Sequence, residues 1–102
     1  MRIAIDVMGG DHAPDATIEG CLAARAHLRP DTELLLFGDE RAIRGGLGGG
    51  LPDAFRVTAT SEVIGCDESP TRAIRAKADS SLVRAVRAVA DGEAECVVSA
   101  GS

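Results

Sequence analysis

The chain contains no tryptophan and no tyrosine, and its aromatic side chains are Phe37 and Phe55 alone. Its core must therefore be aliphatic, assembled from alanine, valine, leucine and isoleucine, which is the palette of a buried parallel sheet. No run approaches the roughly 18 apolar residues of a membrane span, and Asp6 interrupts the first apolar run too early for a secretory signal. A basic excess is also missing. The formal net charge of −5 argues against a general nucleic-acid binder, whose footprint would be positive. Cys21, Cys66 and Cys96 are odd in number, far apart and without a C-x-x-C pair, which argues against a disulfide framework and a zinc ribbon. A reducing, cytoplasmic setting is the expectation.

The 102 residues amount to one domain, and 45% of them are apolar. Residues 2–7, 32–37, 55–60 and 95–100 read as four strands, with β-branched and aliphatic residues bounded by glycine, proline or acidic turns. Between them lie helical patterns. Pro14 suits a helix start, and Ile18, Cys21, Leu22 and Leu28 give an apolar face that Pro30-Asp31 should end. Asp39 to Arg44 predicts a short helix with acids first and bases last, as the helix dipole favours. Gly45 to Gly50 fits no nucleotide-binding glycine pattern and reads as a flexible surface connection. Ser69-Pro70 opens a basic segment with Arg72, Arg75 and Lys77, and Asp79-Ser80-Ser81 caps a further helix that Gly92 stops. Strand alternating with helix predicts an α/β fold: three layers, α/β/α, around a mostly parallel sheet.

In such sheets ligands bind outside the carboxyl ends of the strands. The first strand ends in Asp6-Val7-Met8-Gly9-Gly10-Asp11-His12, in which two glycines allow close backbone approach while Asp6, Asp11 and His12 bring carboxylate and imidazole. Ser61 and Glu62 follow the third strand, and Ser99, Gly101 and Ser102 follow the fourth. Lys77, Ser80 and Ser81 add an ammonium, two hydroxyls and a helix start, which together suit an anion such as phosphate. Two other readings use Asp6, Asp11 and His12 as ligands of a divalent ion: a metal-dependent hydrolase and a receiver-like, ligand-sensing module.

Met8-Gly9-Gly10-Asp11-His12-Ala13-Pro14 resembles the N-terminal signature of the bacterial phosphate acyltransferases of phospholipid synthesis. Ser61-Glu62-Val63-Ile64, Asp67-Glu68, Pro70, Lys77, Asp79-Ser80-Ser81 and Val97-Val98-Ser99-Ala100-Gly101 follow in the same order. The resemblance runs from Arg2 to Ser102 and departs from the pattern at Val7, Gly65-Cys66 and Ser102. It implies transfer of a fatty acyl group from the thioester of acyl carrier protein to inorganic phosphate, giving an acyl phosphate that a membrane glycerol-3-phosphate acyltransferase consumes. It also implies a fold like that of the phosphotransacetylase and isocitrate dehydrogenase group, a homodimer, and a cytoplasmic enzyme peripheral to the membrane, with no metal or organic cofactor. Members are much longer, so residues 1–102 would be the N-terminal part of a single α/β catalytic domain, inactive alone. On this resemblance Asp11, His12 and Lys77 are the candidate catalytic residues. Gly9, Gly10, Ser80, Ser81, Ser99 and Gly101 are the candidate phosphate contacts.

Overall fold

The computed structural model describes residues 1–64 and 69–100. Four strands, β1 (Arg2–Asp6), β2 (Glu33–Gly38), β3 (Phe55–Ala59) and β4 (Cys96–Ser99), alternate with helices α1 (Asp15–Ala24), α2 (Glu40–Gly46), α3 (Pro70–Ala76) and α4 (Ser81–Ala90). The sheet is parallel throughout, in the order β3-β2-β1-β4. In the register, Ile5 lies opposite Leu36 on one side and Val98 on the other. The expected α/β architecture is observed, with strand ends within a residue of the expected ones.

Side chains alternate across a strand, so the central strands β1 and β2 feed two cores. Ile5, Leu34, Leu36 and Phe55 point to one face and pack with Ile18 and Cys21 of α1 and Ile43 of α2. Ala4 and Phe37 point to the other face and meet Ala85 and Ala88 of α4, with Ala94 beside them. The second core is built largely of alanine, and small side chains let α4 lie close to the sheet, where it touches β1, β2 and β4. That closeness carries the start of α4 to the carboxyl end of β1.

Local chemistry accounts for the helix starts. The Asp39 carboxylate accepts from the Ala42 N–H at 3.1 Å, and Glu40 pairs with Arg44 one turn later at 2.8 Å. The Ser80 hydroxyl accepts from the Val83 N–H at 3.2 Å and so caps α4. Two expectations are corrected. The first helix does not continue to Pro30: it ends at Ala24, tightens into a 3₁₀ turn over Arg25–His27, and leaves Leu28 extended at φ −78°, ψ 147°. Leu28 is thereby turned onto the first core instead of lengthening a helix whose later residues have no face to bury. The glycine run is not all connection either, since Gly45 and Gly46 close α2. A Cβ on Gly46 would come within 2.8 Å of Ile18 Cδ1, so the missing side chain is what lets α2 approach α1. Gly48 and Gly49, at φ 73° and 96°, form the turn that follows.

Leu36 is completely buried in the central strand pair. Leu36→Ala should therefore cost about 2–5 kcal/mol of folding free energy, read as a lower midpoint in equilibrium urea unfolding. A midpoint shift equivalent to less than about 1 kcal/mol would show that the side chain is not at the centre of a packed core.

Candidate functional site at the carboxyl ends of β1 and β4

From β1 the chain steps outward to β2 and β3, then returns through α4 on the opposite face to place β4 beside β1. The direction of winding reverses between β1 and β4, and an open α/β sheet leaves a crevice at such a point. A cleft of about 400 Å³ lies there, with Gly9, Gly10, Asp11 and His12 on one wall and Val98 and Ser99 on the other. Tertiary structure thus brings together the loop after β1 and the end of β4, which are some 90 residues apart in the chain.

Asp6 anchors this edge. Its side chain is 2% exposed, and its carboxylate accepts from the Ser99 hydroxyl at 2.8 Å and from the Ser81 hydroxyl on its other oxygen. A carboxylate removed from water is tolerated only when hydrogen-bonded, and here β4 and α4 each supply a donor. Gly9 has to be glycine for the same reason. A Cβ there would stand 2.4 Å from Asp6 Oδ2 and 3.2 Å from Ser99 Oγ. Gly10 takes φ 103°, and a Cβ on it would meet the Ala100 methyl group at 2.8 Å. The glycine backbone is therefore pressed against the carboxylate on one side and the β4 loop on the other.

The loop after β3 is tied to the turn between α3 and α4. One oxygen of Asp79 accepts from the Ser61 hydroxyl at 2.6 Å and the Ser61 N–H at 3.0 Å, while the other accepts from Arg84 at 2.5 Å. The Asp79 N–H donates to Glu62 at 3.2 Å, and Lys77 donates through Nζ to the Val63 carbonyl at 2.8 Å. The Ser61 hydroxyl, and after it Arg84, hold the Asp79 carboxyl below the usual carboxylate range, against an opposing desolvation effect. Through this clamp Val63 and Ile64 line a small second cleft with Asp6, Gly9 and Ser81.

The sequence candidates thus separate into groups. Gly9, Gly10, Asp11, His12 and Ser99 share the main cleft, Asp11 and His12 on its exposed side. Ser80 and Ser81 are buried, Ser80 as the cap of α4 and Ser81 as a partner of Asp6. Lys77 stands at the end of α3 against Val63. Gly101 lies outside the described residues, as do Asp67 and Glu68. Among the described residues no three carboxylate, imidazole or thiol groups gather as a metal site. Both Asp6 oxygens are engaged by serine hydroxyls, and neither the hydrolase nor the receiver reading is favoured. Sequence reasoning placed Asp6 at the right edge but missed its link to Ser81 and Ser99, and it missed Arg84 as a partner of Asp79. No spacing rule marks the partners of Asp6, which meet it only across a crossover.

The family described as "Fatty acid synthesis protein" matches residues 1–102. A protein of Lactobacillus helveticus named phosphate acyltransferase is 45% identical over 101 residues, covering 98% of this chain and 30% of its own length. Proteins of the same name from Brevibacillus brevis and Myxococcus xanthus are 44% and 48% identical, each covering the whole chain and 30% and 29% of their own length. The chain spans about 30% of the length of these relatives.

Two outcomes test the geometry. Gly9→Ala should destabilise by about 1–3 kcal/mol in urea unfolding, because its methyl group would overlap a carboxylate that two hydroxyls hold in place. An unchanged midpoint would mean that Asp6 is free to move. For Asp79 the sign follows from a folded pKa below the unfolded one: its stabilisation is complete above about pH 4 and fades as pH falls through the folded value. The stability gap between the wild-type chain and Asp79→Asn, read as melting temperature, should therefore narrow on acidification. A gap that is constant or widens would contradict the clamp.

Proposed function

Because this chain belongs to the fatty acid synthesis protein family, we propose that it is the N-terminal part of a phosphate acyltransferase that moves a fatty acyl group from acyl carrier protein to inorganic phosphate. The observation that carries the reading is the glycine-walled cleft at the winding reversal, where backbone at Gly9 and Gly10 can lie against a small anion and Ser99 faces them from β4. In this reaction a phosphate oxygen attacks the thioester carbonyl carbon. A C–O bond forms, the C–S bond breaks, and the sulfur leaves with the electron pair. The proton released by the phosphate ends on that sulfur, giving acyl phosphate and the carrier's free thiol. Phosphate is the nucleophile and thiolate a good leaving group, so the protein's work is to hold the anion, orient it and stabilise the oxyanion.

Asp11 and His12, on the exposed side of the cleft, are assigned proton handling or orientation of the nucleophile. Lys77 is assigned charge compensation for the phosphate, since Val63, which its ammonium contacts, lines the small cleft beside Asp6 and Gly9. Ser80 and Ser81 support the site from beneath, one by capping α4 and the other by holding Asp6. The scheme calls for no metal or organic cofactor. A homodimer, peripheral contact with the membrane and a downstream glycerol-3-phosphate acyltransferase complete the proposal on the resemblance alone. Among the described residues no helix is long and apolar enough to cross a membrane. Val86, Val97 and Val98 are large exposed apolar residues on α4 and β4, which supports an apolar face for further polypeptide to cover.

The test is acyl phosphate formation from acyl carrier protein thioester and phosphate by a full-length polypeptide carrying this segment. The 102-residue chain by itself is expected to show no turnover. Lys77→Ala should raise the phosphate requirement at saturating thioester, with a loss of about 1.5–3 kcal/mol in transition-state stabilisation and little change in the thioester requirement. Lys77→Arg should restore only part of it, because a planar fork does not replace a compact ammonium. An unaltered phosphate dependence in Lys77→Ala would remove Lys77 from the site, and absence of acyl phosphate with the wild-type sequence would overturn the reading.

A further inference from the structure

A helix laid on a sheet ordinarily turns its larger apolar side chains inward, and α4 departs from that. Its buried sheet side is Ser81, Ala85 and Ala88, with Val89 beside them. Leu82, Val86 and Ala90 recur at every fourth position, on one stripe, and line a groove of about 350 Å³ together with Val83 and Arg87. Val86 is 49% exposed there, which leaves the stripe without cover. Leu82 lines both this groove and the small cleft beside Asp6 and Gly9, so the two meet at one side chain. Charge is gathered in the same part of the chain. Residues 70–90 carry five of its 11 basic side chains and one of its 16 acids, Asp79, although the chain as a whole stands at −5. Arg84 pairs with Asp79 and Lys77 reaches Val63, whereas Arg72, Arg75 and Arg87 are exposed. Among the described residues no carboxylate pairs with those three.

We propose that the outer face of α4, from Leu82 to Ala90 with Arg87, docks the acyl carrier protein through an acidic, partly apolar surface of that partner. This rests on the proposed function and deepens it by assigning a face to its protein substrate. An apolar centre with arginine beside it is the composition of a surface that binds a protein. Arg87, in the groove, meets a carboxylate of the partner directly, while Arg72 and Arg75 on α3 add to a positive field that speeds encounter. A thioester borne by a protein seated here enters past Leu82, next to the glycine loop. The further polypeptide that covers Val86 is then the carrier. A lipid surface is disfavoured as the occupant, because helices that lie in a membrane interface use aromatic anchors and the only aromatic side chains here, Phe37 and Phe55, are buried in the sheet.

The experiment uses a full-length polypeptide carrying this segment and compares two thioesters of the same acyl chain, one on acyl carrier protein and one on pantetheine with no protein attached. Arg87→Glu should raise the carrier thioester requirement about tenfold, while the phosphate requirement and turnover of the pantetheine thioester stay within about twofold. Arg87→Lys, which keeps the charge, should recover most of the loss. Added salt should weaken use of the carrier by the wild-type sequence and act less on Arg72→Glu combined with Arg75→Glu. A carrier requirement unmoved by Arg87→Glu, or a loss shared equally by both thioesters, would overturn the inference. A changed oligomeric mass in Arg87→Glu with unchanged use of the carrier would give the face to a second copy, and loss of binding to anionic vesicles with unchanged use of the carrier would give it to a lipid surface; either overturns the proposal. No acyl phosphate from either thioester would instead sink the acyltransferase reading. Calorimetric titration of acyl carrier protein into the wild-type and Arg87→Glu polypeptides would then still decide the docking face, with weaker binding to Arg87→Glu supporting it and equal binding refuting it.

Discussion

The group on which this fold most depends is the Asp6 carboxylate. It sits at the end of the central strand β1, nearly out of solvent, where it would cost several kcal/mol without partners. Ser81 from the first turn of α4 and Ser99 from the end of β4 satisfy its two oxygens. A helix on one face, an outer strand and the glycine loop are thereby referenced to a single buried charge. The cost of leaving that charge unpaired gives the arrangement its specificity. Gly9 follows from it, because the loop must pass where only a residue without Cβ fits.

A second polar cluster performs a similar task with different energetics. Ser61, Asp79, Arg84, Glu62 and Lys77 join the loop after β3 to the turn before α4. Several of these groups are partly exposed, so each contact alone contributes little, and their effect comes from being shared over one short segment. The turn they hold leads directly into Ser80, the cap of α4, and then into Ser81. The clamp and the buried carboxylate are consecutive supports of the same helix start, which ties the β3 loop to the β1 edge although β2 lies between the two strands.

These supports account for a preformed cleft in a short chain. Its walls come from β1 and β4, and the sequence between them supplies the helix that brings β4 back to the centre. The exposed Val98 of β4 lines the cleft, so polypeptide that covers it would also border the site. In the proposed reaction of phosphate with a protein-bound thioester, such a border would shield the reacting carbonyl from water.

Much of the secondary structure was legible because it is written in local chemistry: β-branched runs for strands, Asp39 and Ser80 as caps, Gly92 as a stop. The parallel sheet followed from strand and helix in alternation, and the place of the cleft from the loop Gly9-Gly10-Asp11-His12 at the end of the first strand. Places where helical pattern gave way to packing were not legible. Leu28 leaves the helix to reach the core, and Gly46 ends one where Ile18 of another helix leaves no room for a side chain. Nor was the allocation of the other hydroxyls: Ser81 and Ser99 read as anion contacts, and only the crossover through α4 directs both to Asp6. Local sequence determines what each segment can form, because propensity and capping act within a turn. Which donor meets which acceptor at the site was decided by the reversal between β1 and β4, since those partners stand some 75 to 93 residues apart and meet only when the sheet is complete.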